Sequence, residues 1–296
     1  MNADIYELLR EDDCYSKTHG DFFETYDSHV NLCLAFLGSV SESLNYHHGS
    51  PDKVRIMVKF HDIGKLGREF QDHIRGKKGS QYIHHTELAF VKWLLLNVNG
   101  DNGDQDLPLK EFKELEFPYI LAILGHHRTL IDEESAIIIE RLISNHPKWK
   151  DLSIKWLDVL KRPTVGRVDQ EFLLALSLID ILRTVDIIAS YTSETIYKKH
   201  IIKEQKIPQS LFGNSFNKIS EELSSMNIRS DDIKEQKIPQ SLFGNSFNKI
   251  SEELSSMNIR SDELEYRELS NDEKIMKVEL YKPVNSTIEY VRKGES

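Results

Sequence analysis

Imidazole and carboxylate side chains recur along the sequence near the ends, or on the inner faces, of predicted apolar helices. They are His29, His61, Asp62, His85, His126, His127 and Asp186. Polar groups in such places are costly unless they are paired or bind a ligand. Neutral imidazoles and carboxylates converging from separate helices can hold the divalent cations that activate water for phosphodiester hydrolysis. The pattern predicts a metal centre, and Lys65, three residues after Asp62, adds a positive charge suited to a phosphate.

The predicted helices give these residues a common setting. Residues 21–44 read as a first helix, with Asp27 or Ser28 as N-cap. The pair Ser50-Pro51 is typical of a helix start, and the helix it opens carries His61 and Asp62 in its last turn. Each histidine alone could be an ordinary core or surface residue. Their combination on several apolar helices favours a shared site.

Further helices follow along the chain. One begins near His85, Pro118 opens the apolar segment that ends in the paired histidines, and residues 171–190 form a long buried helix ending around Asp186. The last segment changes period, because apolar residues alternate with polar ones on both sides of residues 282–285. We expect an all-α, mainly helical bundle with a small C-terminal β-hairpin.

An exact internal repeat lies between these parts. Residues 202–231 recur letter for letter as residues 233–262. Structural repeats usually diverge in sequence, so this identity indicates a recent duplication or an artefact of the record, and it carries no functional argument. The predicted organisation is a metal-dependent domain at 1–200, a helical appendage at 201–263 and a C-terminal extension at 264–296.

Composition restricts the class of protein. The acidic start and the absence of a long apolar run predict a cytoplasmic protein without a membrane span. Cys14 and Cys33 lack the spacing of a zinc site, so the sequence predicts two free thiols. The net charge of −10 opposes non-specific adhesion to nucleic acid, although bound cations would reverse the local field that a phosphate meets.

Several segments together resemble a known family. FHDIGKLGREFQDHI, IHHTELA, ILGHHR and LRTVDIIAS are similar to successive motifs of the HD domain of CRISPR-associated Cas-three nucleases, over about residues 20–195. HDIGK is common to the whole HD superfamily, whereas the Phe-Gln pair, the His before TELA and the paired histidines resemble this nuclease branch. The sequence has no Walker-type phosphate-binding motif. The chain therefore resembles the stand-alone, double-prime form that works beside a separate helicase and the type I CRISPR effector complex.

The resemblance implies a ligand set and a substrate. His29, His61, Asp62 and Asp186 would hold one metal ion, and Asp62, His85, His126 and His127 a second, with Asp62 shared. Lys65 matches the lysine beside the phosphate, and Asp62 and Lys65 are the expected catalytic residues. The implied substrate is single-stranded DNA, with RNA as an alternative, and the implied cofactors are one or two divalent ions such as Mn, Ni, Mg or Co.

Some assignments stay open on the sequence alone. His84 competes with His85, and Asp180 with Asp186, although the segments HTEL and VDIIAS favour the second of each pair. The remaining histidines read as surface or structural: His19, His47, His48, His73, His146 and His200. Basic residues beside the motifs could follow a phosphate backbone or could simply be solvated: Arg68, Arg75, Lys77, Lys78 and Arg128.

Two other functions compete with the nuclease. An HD phosphohydrolase acting on a nucleotide or cyclic dinucleotide would use the same metal chemistry in a closed pocket. A non-catalytic subunit of an effector assembly would keep the site only for structure.

Overall fold

A computed structural model describes residues 8–9, 14–43, 49–77, 84–98, 107–127, 133–161, 170–205, 264–271 and 274–293. The helices within these residues are α1 (Tyr26–Ser43), α2 (Pro51–Phe60), α3 (Arg68–Ile74), α4 (His85–Val98), α5 (Leu107–Lys113), α6 (Phe117–Gly125), α7 (Glu133–Ser144), α8 (Trp149–Lys161) and α9 (Gln170–Gln205). A short 3-10 helix covers Ile63–Leu66. The strands are β1 (Tyr15–His19), β2 (Phe22–Thr25), β3 (Glu265–Asn271), β4 (Ile275–Lys282) and β5 (Ser286–Arg292). The predicted mainly helical class is confirmed.

Helix α6 lies at the centre of the helical core. All nine of its residues are buried, and it packs against α4, in which ten of fourteen residues are buried. Full burial of one side chain such as Ile120 or Ile123 is worth about 1.5–3 kcal/mol. A helix that is apolar all round is fixed in place by its neighbours. The tight packing of α6 therefore fixes the backbone position of His126 and His127, which directly follow it.

The sheet is larger than the predicted hairpin. Strands β4 and β5 form the expected antiparallel hairpin, but they belong to a five-stranded antiparallel sheet in the order β1-β2-β5-β4-β3. Strand β2 pairs with β5, so the sheet joins segments from the two ends of the sequence. The prediction of a helix over residues 21–44 was wrong at its start, because residues 22–25 form β2. A pairing partner more than 260 residues away is not visible to local periodicity.

Helix α1 begins after that strand. The Ser28 backbone N–H lies 3.4 Å from the Thr25 hydroxyl, which takes the capping position expected of Asp27 or Ser28. The Ser28 hydroxyl instead accepts a 2.8 Å hydrogen bond from the Glu289 backbone N–H. The start of α1 is thus tied to β5. Helix α2 begins at Pro51, as Ser50-Pro51 predicts.

Helix α9 is longer than predicted. It continues through Asp186 and Ser190 to Gln205, because no proline or glycine interrupts its sequence. The chain divides into two units, residues 1–191 with 263–296, and residues 192–262. The predicted boundaries at 200 and 263 stay a prediction, and the repeat beyond residue 205 lies outside the described residues. No helix in the described ranges is both long and apolar enough to cross a bilayer.

Candidate metal centre

The segment after α2 places the central carboxylate. His61 caps the C-terminal end of α2, and Asp62 follows it directly. The buried 3-10 helix then places Gly64 against His85, the first residue of α4. A Cβ atom on Gly64 would lie 1.9 Å from the backbone oxygen of His85. Only glycine allows this approach, since real Cβ atoms are not found closer than about 3.0 Å to another heavy atom. The contact fixes Asp62 relative to His85.

The two oxygens of Asp62 face different sets of histidines. Its Oδ1 lies 3.2 Å from His85 Nε2 and 3.9 Å from His126 Nε2. Its Oδ2 lies 3.4 Å from the Nε2 atoms of both His29 and His61. All five side chains are buried. The carboxylate is thus positioned to be shared between two groups of donors.

The donor atoms form two compact groups. One contains His29, Cys33, His61 and Asp186, and the other contains Asp62, His85, His126 and His127; within each group the donor atoms all lie within 4.8 Å of one another. Every side chain predicted as a metal ligand belongs to one of them. Cys33 was not predicted.

The tautomers of two histidines suit metal binding. The Nδ1–H of His61 donates to the Val58 carbonyl at 2.7 Å, and that of His126 donates to the Ile123 carbonyl at 2.6 Å. The Nε2 lone pair of each ring then points into the cluster, where neither nitrogen has a hydrogen-bond partner among the described residues. A buried polar atom left in this way costs about 1–3 kcal/mol. A bound cation would remove that cost, so the donor set fits a divalent metal.

Burial sets the protonation of the cluster. It lowers the pKa of His85 and of His126 to about 4, and it also lowers the pKa of His61 and His127. Burial alone would raise the pKa of Asp62, but nearby positive charge and hydrogen-bond donors hold it well below its ordinary value. For these four histidines, a neutral imidazole beside an ionised carboxylate is the protonation state that metal binding needs. His29 differs: burial alone would lower its pKa, but nearby negative charge and hydrogen bonds to Asp186 and Asp62 raise it well above its ordinary value, so an ion in the first donor group must displace its proton.

These pKa shifts predict acid sensitivity of the metal-free protein. Unfolded imidazoles titrate near pH 6.5, whereas His126 in the fold titrates at about 4. Both states are neutral above pH 6.5, and between pH 6.5 and 4 only the unfolded chain takes up the proton. As the pH falls through that window, protonation of His126 in the unfolded chain lowers the free energy of unfolding by up to about 3 kcal/mol. In chelator, the Tm of the His126→Gln variant should fall less steeply between pH 6.5 and 4 than that of wild type; parallel curves would contradict this.

Lys65 lies inside the cluster. Its Nζ donates to Asp62 Oδ2 at 2.6 Å, and the side chain is almost completely buried. The backbone oxygen of Lys65 accepts a 2.8 Å hydrogen bond from Gln71 Nε2, which also donates to the Tyr15 carbonyl at 2.8 Å. Gln71, the glutamine of the Phe-Gln pair, thus connects the 3-10 helix that carries Lys65 to strand β1.

Of the two pairs of competing residues, only Asp186 and His85 belong to the donor groups, and their roles as ligands stay predictions. Asp186 Oδ1 lies 3.0 Å from His29 Nε2, whereas Asp180 is in neither donor group. Burial raises the pKa of Asp180 to about 6, and Arg183 opposes that rise. His85 lies in the second donor group, whereas the backbone oxygen of His84 accepts a 3.1 Å hydrogen bond from the Leu88 backbone N–H in α4.

Strands β1 and β2 bring residues that the sequence did not single out. Glu24 is fully buried; it accepts a 3.0 Å hydrogen bond from His19 Nε2 and lies 3.6 Å from His29 Nδ1. Lys17 reaches Asp186 at 4.0 Å and also contacts the Ser190 hydroxyl. The turn between the strands uses Gly20 at φ 52. The available signal was the Gly20-Asp21 pair directly before Phe22-Phe23, because Gly-Asp is a common two-residue hairpin turn.

The predicted substrate-contact residues are only partly described. Arg68 is exposed at the start of α3, and the Arg75 guanidinium lies 5.0 Å from the centre of the Tyr15 ring. Lys77 pairs with Asp72 at 2.6 Å on the surface. These roles stay predictions, and Lys78 and Arg128 lie outside the described residues.

No protein-family model matches the chain, and neither the curated proteins nor the solved structures include a significantly similar one.

Proposed function

We propose that the chain is a metal-dependent HD-type nuclease that hydrolyses phosphodiester bonds of single-stranded DNA. The observation that supports this best is the Asp62 carboxylate, with one oxygen toward His29 and His61 and the other toward His85 and His126. A carboxylate placed in this way can bind two adjacent cations, which act together in two-metal hydrolysis of phosphodiesters.

The two donor groups are the proposed metal ligands. When bound, the cations would supply Lewis acidity and activate water for attack on phosphorus. Imidazole and carboxylate donors suit Mn²⁺, Co²⁺ or Ni²⁺. His127 is exposed, unlike the other members of its group, so the second group lies nearer the surface from which a substrate would approach.

The protein's own residues keep this geometry in a site of low dielectric. Arg183 Nε donates to the His126 carbonyl at 2.7 Å, which holds the end of α6 against α9. Lys65 offsets the charge of Asp62 and offers a cation to a phosphate oxygen. Each polar group is positioned before substrate binds, as efficient electrostatic catalysis requires.

We further propose that the nuclease acts in type I CRISPR interference beside a separate helicase. The support is the resemblance of four motifs along residues 20–195. The single-stranded substrate rests on the same resemblance, because a helicase would supply the separated strand.

The first experiment is cleavage of end-labelled single-stranded DNA by the purified chain with Mn²⁺, in parallel with hydrolysis of nucleotides and a cyclic dinucleotide. We expect DNA cleavage that a chelator abolishes. Nucleotide turnover without DNA cleavage would overturn the nuclease proposal and favour the phosphohydrolase. Absence of every hydrolytic activity, in a chain that still joins an effector complex, would favour the assembly subunit.

Glu24 should tune the first donor group. Because its carboxylate faces His29 Nδ1, it can orient the ring and raise the basicity of Nε2. We expect Glu24→Gln to weaken binding of one metal ion by about 10–100-fold, measured by calorimetric titration with Co²⁺. Glu111→Gln, which alters an exposed pair with Lys59, is the matched control. Equal affinities in both variants would show that Glu24 has no such role.

A further inference from the structure

Cys33 lies one helical turn after His29 on α1. Residues four apart project from the same face of a helix. The Cys33 side chain is fully buried, and its Sγ lies 3.8 Å from His29 Nε2. The thiol is therefore directed at the nitrogen that faces Asp62 and Asp186.

The surroundings of the thiol are a set of donors. Cys33 Sγ groups with the donor atoms of His29, His61 and Asp186, all within 4.8 Å of one another. A second observation indicates a ligand there: the buried Nε2 of His61 has no hydrogen-bond partner in the described part of the chain. Cys14 is also buried but belongs to neither donor group.

We propose that Cys33 binds metal as a thiolate in the first donor group, beside His29, His61, Asp186 and the shared Asp62, and makes that site selective for Zn²⁺, Fe²⁺ or Co²⁺ over Mn²⁺ and Mg²⁺. Thiolate sulfur favours these softer cations, whereas carboxylate-rich sites suit the harder ones. Binding releases the thiol proton to solvent, and no electron is transferred. The second group has no sulfur, so the two sites differ in preference. This inference rests on the proposed metal centre.

The consequence is that the two sites have different roles, one structural and one catalytic. A site whose coordination positions are all filled by buried protein donors is typical of a structural metal, whereas a catalytic site keeps a position open to solvent. The first group has three buried members and a partly exposed Asp186, while the second includes the exposed His127. The first ion would then hold α1, α2 and α9 together, and the second would be the exchangeable one.

Titration of the metal-free chain with Co²⁺ tests the ligand directly. We expect wild type and Cys14→Ser to develop both the visible d–d bands of protein-bound cobalt and a sulfur-to-cobalt charge-transfer band in the near ultraviolet. Cys33→Ser should keep d–d bands and lose the charge-transfer band. Cobalt binding without that band in wild type would overturn the thiolate ligand and leave the metal centre intact. Absence of all cobalt bands would overturn the metal centre itself and this inference with it.

Metal competition provides a second readout. After loading with Zn²⁺ and dialysis against excess Mn²⁺, native mass spectrometry should find Zn²⁺ retained in wild type and Cys14→Ser but displaced in Cys33→Ser. The loss of Zn²⁺ affinity should be no smaller than the roughly 10–100-fold that follows removal of an outer-shell partner. Equal Zn²⁺ retention by both cysteine variants would contradict the selective site.

Discussion

Replacing Asp62 with asparagine should abolish metal-dependent cleavage and most metal binding. The substitution keeps the size of the side chain but removes the charge that faces four histidines. Losing the several kcal/mol that metal ions contribute to transition-state stabilisation lowers the rate roughly a thousandfold or more. The measurement is single-turnover cleavage of labelled single-stranded DNA with Mn²⁺, together with calorimetric metal titration.

Asp52→Asn is the matched control, because Asp52 is an exposed carboxylate at the start of α2. It should cleave and bind metal like wild type. If Asp62→Asn cleaved as fast as Asp52→Asn, the cleavage would come from a contaminant or from another site, and the metal centre would lose its catalytic role. Normal interference by an Asp62→Ala chain would instead indicate an assembly subunit.

The Asp62→Asn variant should also be less stable than wild type when no metal is bound. Removing the Asp62 charge leaves the buried ammonium of Lys65 without its 2.6 Å partner, and breaking a buried pair from one side costs about 3–5 kcal/mol. The double variant Asp62→Asn/Lys65→Met should recover much of that loss, because both charges are then gone. Urea unfolding in chelator measures both effects. A double variant as unstable as the single one would contradict this account.

Gly64→Ala should destabilise the fold and weaken metal binding together. The added methyl would meet the backbone oxygen of His85 at 1.9 Å, so the 3-10 helix and the start of α4 must separate. Overpacking usually costs about 1–3 kcal/mol, and we expect the upper end or more because backbone cannot rotate away. The movement also separates Asp62 from His85. Thermal unfolding and metal titration measure the two effects.

Gly38→Ala provides the opposite case. Gly38 is in the interior of α1, and a methyl there would meet no atom within 4 Å. Alanine should stabilise the helix by about 0.5–1 kcal/mol without altering metal affinity. If Gly64→Ala proved as stable as Gly38→Ala, the tight approach at His85 would not control the site.

The candidate ligands could be predicted because they lie on, or directly after, helices with strong local patterns. His61 and Asp62 come after a proline-initiated helix, and His126 follows α6, all nine residues of which are buried. Six residues place Asp180 and Asp186 on different faces of α9, so only one of them was expected in the site, and the segment VDIIAS favoured Asp186. The mutual distances could not be read from the sequence. They depend on how α2, α4, α6 and α9 pack.

The supporting residues were not predictable for a different reason. Glu24 belongs to a four-residue strand whose neighbours are β1 and β5, and β5 is distant in sequence. Cys33 was assigned as an ordinary free thiol because cysteine pairs, rather than a histidine four residues earlier on a helix, are the usual sign of a sulfur ligand. Tertiary packing brings Glu24 close to His29, and it brings His61 and Asp186 close to Cys33.

The pairing of β2 with β5 also constrains the order in which the protein can mature during synthesis. The helices that carry His61, His85, His126 and Asp186 leave the ribosome before residues 286–292, which pair with the strand holding Glu24. Contacts of such large sequence separation form late, because a long loop must close before they contribute. A nascent chain stalled before β5 would hold most of the histidines yet lack the strand that pairs with the one holding Glu24, so tight metal binding is expected only once β5 has left the ribosome.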